Sequence, residues 1–197
     1  MAPANPELRE LIKEMNRSKL AEQILKQSPE SCSPEGEIFP SSVLPAIAMS
    51  KAGKERVFPM KWGFRQKSGL LINARIETAA EKPTFCESWA KHRCIIPASW
   101  YYEWDHDNLK KPLNKYVLKP VQTGPIWLAG LYRLENGFPA FVILTQPASD
   151  RLSWMHDRMP VLFPRNKIRE WISPEINPET VIHNCLTDIE WKKAIKI

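Results

Sequence analysis

Apolar residues near the start of the chain recur at three- and four-residue intervals. Leu8, Leu11, Ile12 and Met15, then Leu20, Ile24 and Leu25, line one side of a helix over residues 5–28. Asn5 is placed to cap that helix and Pro6 to fill its first position, where a missing N–H costs nothing. Asn16-Arg17-Ser18 offers a break into two pieces, and residues 28–45, rich in Ser, Pro and Gly, read as loop. The pattern then changes period. "RVFPMKWGF", "LLINARIET", "RCIIPASWYYEW", "NKYVLKP", "IWLAGLYRL" and "PAFVILTQ" are short, aromatic or β-branched, and punctuated by turn residues, which predicts a succession of strands. One short helix is expected at 83–91, opening with Pro83. Helical spacing returns at "PRNKIREWI" from Pro164, and Thr187 with Glu190 makes a capping-box pattern before "WKKAI". Helices at both ends of a run of strands predict an α+β fold: a curved, largely antiparallel, barrel-like β-sheet core with flanking helices.

Length and composition narrow the class. A chain of 197 residues, 43% apolar and 25% charged, fits one globular domain with a real core, here expected to span 1–197. No apolar run approaches the ~18 residues that span a membrane. Cysteines at 32, 86, 94 and 185 form no CxxC pair, and histidines 92, 106, 156 and 183 add no ligand spacing. Neither a metal site nor a cofactor is expected, and free thiols in a reduced cytoplasmic protein are. The net charge of +6 suits a polyanionic partner. Eight tryptophans leave two readings open, core packing or ring platforms for a ligand.

Three stretches carry candidate chemistry. In "INARIET" Asn73, Arg75 and Glu77 alternate with apolar or small residues and share one face of a strand; they are a solvated edge or a polar site, and asparagine in a strand asks for a specific partner. In "WYYEW" Tyr101 and Glu103 face one side, Trp100, Tyr102 and Trp104 the other. A carboxylate set among aromatics is either a solvent-facing edge residue or an acid–base group with a raised pKa. In "MHDRMPVLF" His156 is followed by Asp157, which can orient it, and Arg158, which can bind an anion; the bland reading is a polar turn before a buried strand. A cysteine-peptidase pairing of His156 with Cys86 or Cys94 is a further reading, although Cys94 in "RCIIP" lies in an apolar run where thiols are usually inert.

Taken in order, "MKWGF", "INARIETAAEKPTF", "RCIIPASWYYEW", "AGLY", "FVILTQPAS" and "MHDRMPVLF" resemble the SOS-response-associated peptidase (SRAP) family over residues 37–165. The resemblance implies recognition of abasic sites in single-stranded DNA by a soluble, monomeric, cytoplasmic or nucleoid-associated protein without cofactors. It implies covalent capture of the lesion's open-chain aldehyde by an N-terminal cysteine, exposed when the protein removes its own initiator methionine. The α-amine forms a Schiff base and the thiol closes a thiazolidine. On this resemblance Glu103 is the acid–base residue beside the terminal amine, His156 assists opening of the deoxyribose ring, and Asn73 holds the nucleophile or lesion in register. Arg75 and Arg158 contact flanking phosphates, Trp62 and Trp104 stack or wedge neighbouring bases, and Pro40, Ser41 and Thr145 match positions lining the DNA groove. The family pattern begins Met-Cys-Gly-Arg. This sequence begins "MAPANPELRE", so Ala2 stands where the nucleophile is expected, and the family's opening strand is expected to be missing or replaced. The runner-up expectation is a non-covalent single-stranded DNA-binding pseudoenzyme of the same fold.

Overall fold

The computed structural model describes residues 5–27, 36–106, 112–121 and 124–194. Cys32 and the first four residues lie outside these segments. The N-terminal helix forms in two pieces, α1 (Pro6–Asn16) and α2 (Lys19–Gln27). Asn5 Oδ1 accepts from the Glu7 amide at 2.9 Å, and Ser18 Oγ, in the break, accepts from the Ala21 amide at 3.1 Å. Both breaks in the helical pattern are thus side-chain caps that satisfy orphan amides.

Strands follow in the order β1 (Val43–Met49), β2 (Glu55–Trp62), the hairpin β3 (Phe64–Gln66) and β4 (Gly69–Leu71), then β5 (Asn73–Arg75). After helices α3 (Ile76–Ala79) and α4 (Cys86–Lys91) come β6 (Arg93–Ala98), β7 (Tyr101–His106), β8 (Pro112–Pro120), β9 (Ile126–Glu135), β10 (Phe138–Pro147) and β11 (Arg158–Pro160). The short helices α5 (Ile168–Ile172) and α6 (Pro178–Val181) precede β12 (Ile189–Lys193). Five strands close on themselves, with β2 beside β1, β1 beside β6, β6 beside β9, β9 beside β10 and β10 back beside β2. Only the closing β10–β2 contact of this ring is parallel. The expected curved, largely antiparallel barrel with flanking helices is therefore present. β9 and β10 meet through Asn136-Gly137, both at positive φ (52° and 84°), the turn chemistry that matches the twist of a tight hairpin.

Two apolar clusters lie on the two faces of the barrel wall. Ile47, Ile95, Ala129, Leu131, Val142 and Leu144 face the helices, packed with Trp89, Trp171 and Ile172. Ala46, Ala48, Cys94, Ile96, Leu128 and Phe141 face the other way, toward a three-stranded sheet of order β12-β8-β7. Arg93, 1% exposed, fastens the helical layer. It donates to the carbonyls of Trp89, Ala90, Trp171, Ser173 and Ile176, collecting the orphan carbonyls at the ends of α4 and α5. Burial lowers its pKa to about 10, so it remains a cation at neutral pH.

Several local expectations need correction. Helix α4 starts at Cys86 rather than Pro83, which lies in the preceding turn, and the helical spacing after Pro164 begins as a 3-10 turn at Arg165–Lys167. The Thr187–Glu190 capping box is not used: residues 189–193 form β12, paired antiparallel with β8. One turn of isolated helix is marginal, whereas the free edge of β8 supplies a ladder partner for each residue and buries Ile189.

A tight contact in the wall gives the first prediction. A Cβ on Gly130 would lie 2.5 Å from Ile96 Cδ1 and 3.0 Å from both Cys94 Sγ and the Val142 carbonyl oxygen, which is backbone of the neighbouring strand. Gly130→Ala is expected to destabilise by about 1–3 kcal/mol, read as a fall in Tm of about 2–4 °C per kcal/mol for a domain of this size. An unchanged Tm would show that β9 and β10 are not in contact there.

Candidate active site

Strand β10 sets the register of half the candidate residues. On one edge it runs parallel to β5, placing Asn73 opposite Ile143 and Arg75 opposite Thr145. On the other it pairs with β11, placing Arg158 opposite Pro147, and Trp62 lies opposite Phe141 through the β2 contact. Since directly paired residues point to the same side of a sheet, Trp62, Asn73, Arg75 and Arg158 share one face. That face is the one occupied by Phe141 and Ile143, away from the helices. Asn73 and Arg75 are exposed there, and the intervening Ala74 is buried on the helical side.

Trp62 is held rather than free. Its ring stacks on Phe141 at 4° between planes, and its Nε1 donates to the Ile72 carbonyl at 3.1 Å. Pro40 and Ser41 meet it from the side: the Ser41 amide donates to the Trp62 carbonyl at 2.8 Å, and Ser41 sits at φ 77°. A left-handed serine is uncommon and costs conformational energy, which marks this exposed turn as one kept for its shape.

Strand β7 presents the proton-handling groups. Glu103 pairs with Tyr116 of β8, and Tyr101, on the same face, with Leu118. Burial raises the Glu103 carboxyl above the usual range; His156 is the largest influence pulling it back, followed by the Trp104 amide and His106. Tyr101 supplies a buried hydroxyl without a partner, its pKa pushed up by burial and by the Glu103 charge. His156 Nδ1 accepts from the Arg158 amide at 2.9 Å. That bond assigns the proton of the neutral ring to Nε2, which is left to donate. The Asp157 carboxylate is 3.1 Å from the same Nδ1, but its side chain is 81% exposed and a neutral Nδ1 has no hydrogen to give it. The Arg158 amide, not Asp157, therefore orients the imidazole. The His106 ring lies 6.0 Å from that of His156.

Other expected residues fall differently. Glu77 does not continue the Asn73–Arg75 face, because the strand ends at Arg75 and α3 begins. Instead it takes a bidentate pair with Arg158, Nη1 to Oε1 at 2.5 Å and Nη2 to Oε2 at 2.8 Å, and the Arg158 cation holds its carboxyl below the usual range. Arg158 also donates to the Thr145 carbonyl at 2.7 Å and keeps a buried Nε with no partner. Thr145 is half-buried, supporting Arg158 rather than opening to solvent. Trp104 points to the opposite face of β7 from Glu103, where Lys115 Nζ sits 3.9 Å from the Tyr102 ring centre and 5.2 Å from that of Trp104. Cys94 is fully buried with its thiol pKa pushed up, and Cys185 is pushed up to about 12, so neither is a ready nucleophile. Among the described residues no cluster of His, Cys, Asp and Glu has the arrangement of a metal site, and no helix is long and apolar enough to cross a membrane.

The profile of the SOS response associated peptidase (SRAP) family matches residues 7–196. The chain belongs to the SRAP family. Among its relatives is the abasic site processing protein YoqW of Bacillus subtilis, 33% identical over 159 residues that cover 72% of this chain and 70% of that one. YedK of Escherichia coli, also an abasic site processing protein, is 30% identical over 166 residues covering 80% and 74%. Among solved structures, a phage-related protein of Bordetella bronchiseptica superposes with a TM-score of 0.70 at 22% identity, covering 91% of this chain and 92% of its own. A protein of Bacteroides thetaiotaomicron gives 0.68 at 20% identity, covering 94% and 87%. These two establish the SRAP barrel as the shared fold.

Burying the Glu103 anion costs stability, and the pH dependence follows from the direction of its shift. The cost is absent while the carboxyl is protonated in both folded and unfolded chains. It sets in as pH rises past the ordinary carboxylate value and is complete above the raised value of the folded state. Glu103→Gln is therefore expected to raise Tm by a few degrees at about pH 8, with the gain shrinking as pH falls below the raised folded-state value and gone below about 4, the ordinary carboxylate range. A lower Tm at pH ~8 would mean the carboxylate is stabilised where it sits.

Proposed function

We propose that this chain is an abasic site processing protein that grips single-stranded DNA and delivers acid–base chemistry to the aldehyde of the lesion through Glu103 and His156. The observation that carries the reading is the Glu103–His156 pair: a half-buried carboxyl of raised pKa, with His156 the charge that most influences it, and an imidazole held by the amide of Arg158, which shares its face with Asn73 and Arg75. A carboxyl raised above its ordinary range by burial is a better proton carrier for imine formation than an exposed one.

In this reading the sugar C1–O bond breaks while the Glu103 carboxylate takes the anomeric hydroxyl proton and passes it to the ring oxygen, and His156 Nε2–H holds that oxygen by a hydrogen bond as its charge develops. An α-amine adds to the carbonyl carbon, Glu103 carries one ammonium proton to the alkoxide oxygen to give the carbinolamine, and it then carries the second N–H proton to the hydroxyl, which leaves as water as the imine forms. A vicinal thiol then adds across the C=N bond, its proton moving to nitrogen, and closes the thiazolidine without any net oxidation or reduction. Asn73 holds the nucleophile or lesion in register. Arg75, exposed and on the same face, is the first phosphate contact; Arg158, committed to Glu77 and Thr145, reaches a phosphate only by sharing its donors. Trp104 stacks a flanking base, and Trp62, held on Phe141 beside the Ser41 turn, wedges the strand at the lesion. Ring closure takes a terminal cysteine; Ala2, once Met1 is removed, offers an amine without the thiol. The chain behaves as one SRAP domain that works alone as a monomer.

A denaturing gel tests the chemistry. A version beginning Met-Cys-Gly-Arg, incubated with single-stranded DNA bearing one abasic site, is expected to give a heat-resistant shifted band, and Glu103→Gln or His156→Gln in that background to slow its appearance by about 10²–10⁴-fold. The sequence with Ala2 is expected to give none. No band from the cysteine version refutes covalent capture and leaves non-covalent binding; a heat-resistant band with Ala2 refutes the need for the terminal thiol. Binding is read separately. Arg75→Ala is expected to lower the slope of log K against log salt by about 0.7, whereas Arg158→Ala chiefly lowers Tm, because it leaves Glu77 and the Thr145 carbonyl without their donor. An unchanged slope in Arg75→Ala removes that residue from the phosphate contacts.

A further inference from the structure

Three of the eight tryptophans, Trp89, Trp127 and Trp171, are buried, and Trp62, Trp100 and Trp191 are half-buried. Two remain in the open: Trp104 at 37% exposure and Trp154 at 51%. Trp154 lies two residues before His156 and is fixed in place despite its exposure. Its Nε1 donates to the Arg151 carbonyl at 3.0 Å, so the ring needs no outside hydrogen-bond partner. It stands perpendicular to Tyr116 at 5.5 Å and 6.0 Å from Trp191, and the Arg151 guanidinium, held by Asp188, covers the Trp191 ring at 5.7 Å.

Tyr116 is the residue directly opposite Glu103 in the β7–β8 ladder, and its hydroxyl is anchored on Asp105 at 3.2 Å. The rings Tyr116, Trp154 and Trp191 therefore form a track leading away from Glu103 on Glu103's own face. Trp104 begins on the opposite face of the same strand. The two exposed indoles therefore lie on opposite faces of the β7–β8 ladder that carries Glu103. A lysine lies on each side: Lys115, ion-paired with Glu37, beside Trp104, and exposed Lys193, opposite Tyr116 in the β8–β12 ladder, on the face of Trp154. A rigid, exposed ring whose polar atom is already satisfied, beside lysine side chains, fits a nucleobase and its phosphate rather than an apolar protein surface.

We propose that Trp154 is a stacking platform for the nucleobase flanking the lesion on the side away from Trp104, so that the strand is held by one ring on either side of the abasic sugar. This rests on the single-stranded DNA reading above. The test uses a fluorescein-labelled oligothymidylate with a central tetrahydrofuran, an abasic analogue that lacks the aldehyde, and two further versions in which the 5′ or the 3′ neighbour is also baseless. Anisotropy titrations are run with the wild type, Trp154→Ala and Trp104→Ala. Trp154→Ala is expected to weaken binding of the first oligonucleotide about 5- to 150-fold, the value of one stacked base. Deleting one flanking base should cost the wild type as much and cost Trp154→Ala nothing more, and Trp104→Ala should show the same coupling with the other flank. In parallel, Trp154→Phe, which preserves packing, should keep most of the affinity and lose part of the DNA-induced quenching of tryptophan emission. Wild-type affinity in Trp154→Ala, a loss indifferent to which base is missing, coupling to the same flank as Trp104, or unchanged quenching in Trp154→Phe overturns the proposal. A wild type that binds none of the three oligonucleotides overturns the single-stranded DNA reading itself.

Discussion

Strand β10 must hydrogen-bond along both edges to four other strands, and the site exists only while it does. Residues 138–143 pair with β9 on one edge, where β11 takes over at 145–147; on the other edge β2 pairs at Ala140 and Phe141 and β5 at 143–145. β11 enters because β9 and β10 diverge: the Val161 amide donates to the Leu144 carbonyl while the Ala129 amide donates to the Val161 carbonyl, so this chain segment fills the gap between them. A slip of one residue in any of these ladders would turn Asn73 and Arg75, or Arg158, to the helical face. Gly130 permits the close approach on the β9 side, and Ser41, strained at φ 77°, closes the turn against Trp62.

The two faces of the barrel wall divide the labour. The helical face is apolar and fastened by Arg93, one buried cation satisfying carbonyls from α4, α5 and the turn after α5. On the other side lie groups that do not serve stability: a half-buried carboxyl above its usual pKa, an unpartnered Tyr101 hydroxyl and an Arg158 Nε without an acceptor. Reactive groups set over a wall whose other face is rigidly packed are held in a fixed geometry. The Arg158–Glu77 pair shows the same economy. It neutralises an acid next to a surface proposed for polyanion binding and fixes the backbone amide that sets the His156 tautomer.

Much of this was legible in the sequence where local chemistry decides the structure. The capped first helix with its break at Ser18, the run of strands, and the alternation of Tyr101 and Glu103 against Tyr102 and Trp104 follow from spacing alone. Three points turned on tertiary partners. Residues 189–193 carry a helix-start signal but take the open edge of β8. Glu77 continues a strand period on paper, but the chain turns into α3 and brings it to Arg158, 81 residues away. Asp157, adjacent to His156, was the natural orienting group, yet a backbone amide does that work. His106 and Trp154 carried no motif. His106 reaches His156 because β7 shifts register between Trp104 and His106, and Trp154 owes its setting to Tyr116 and Trp191, neither of them near it in the chain.

We propose that single-stranded DNA bearing an abasic site lies across the β10 face of Asn73 and Arg75 and the adjoining Glu103 and His156. Amide and indole nitrogen-15 NMR of the protein titrated with such a strand tests it most directly. The account predicts shifts at Asn73–Arg75, Glu103 and His156–Arg158 and at the indoles of Trp62 and Trp104, with Trp89, Trp171 and the α5 amides unmoved. Shifts centred on the helical face around Arg93 and α5, with the Glu103–His156 region silent, would contradict it.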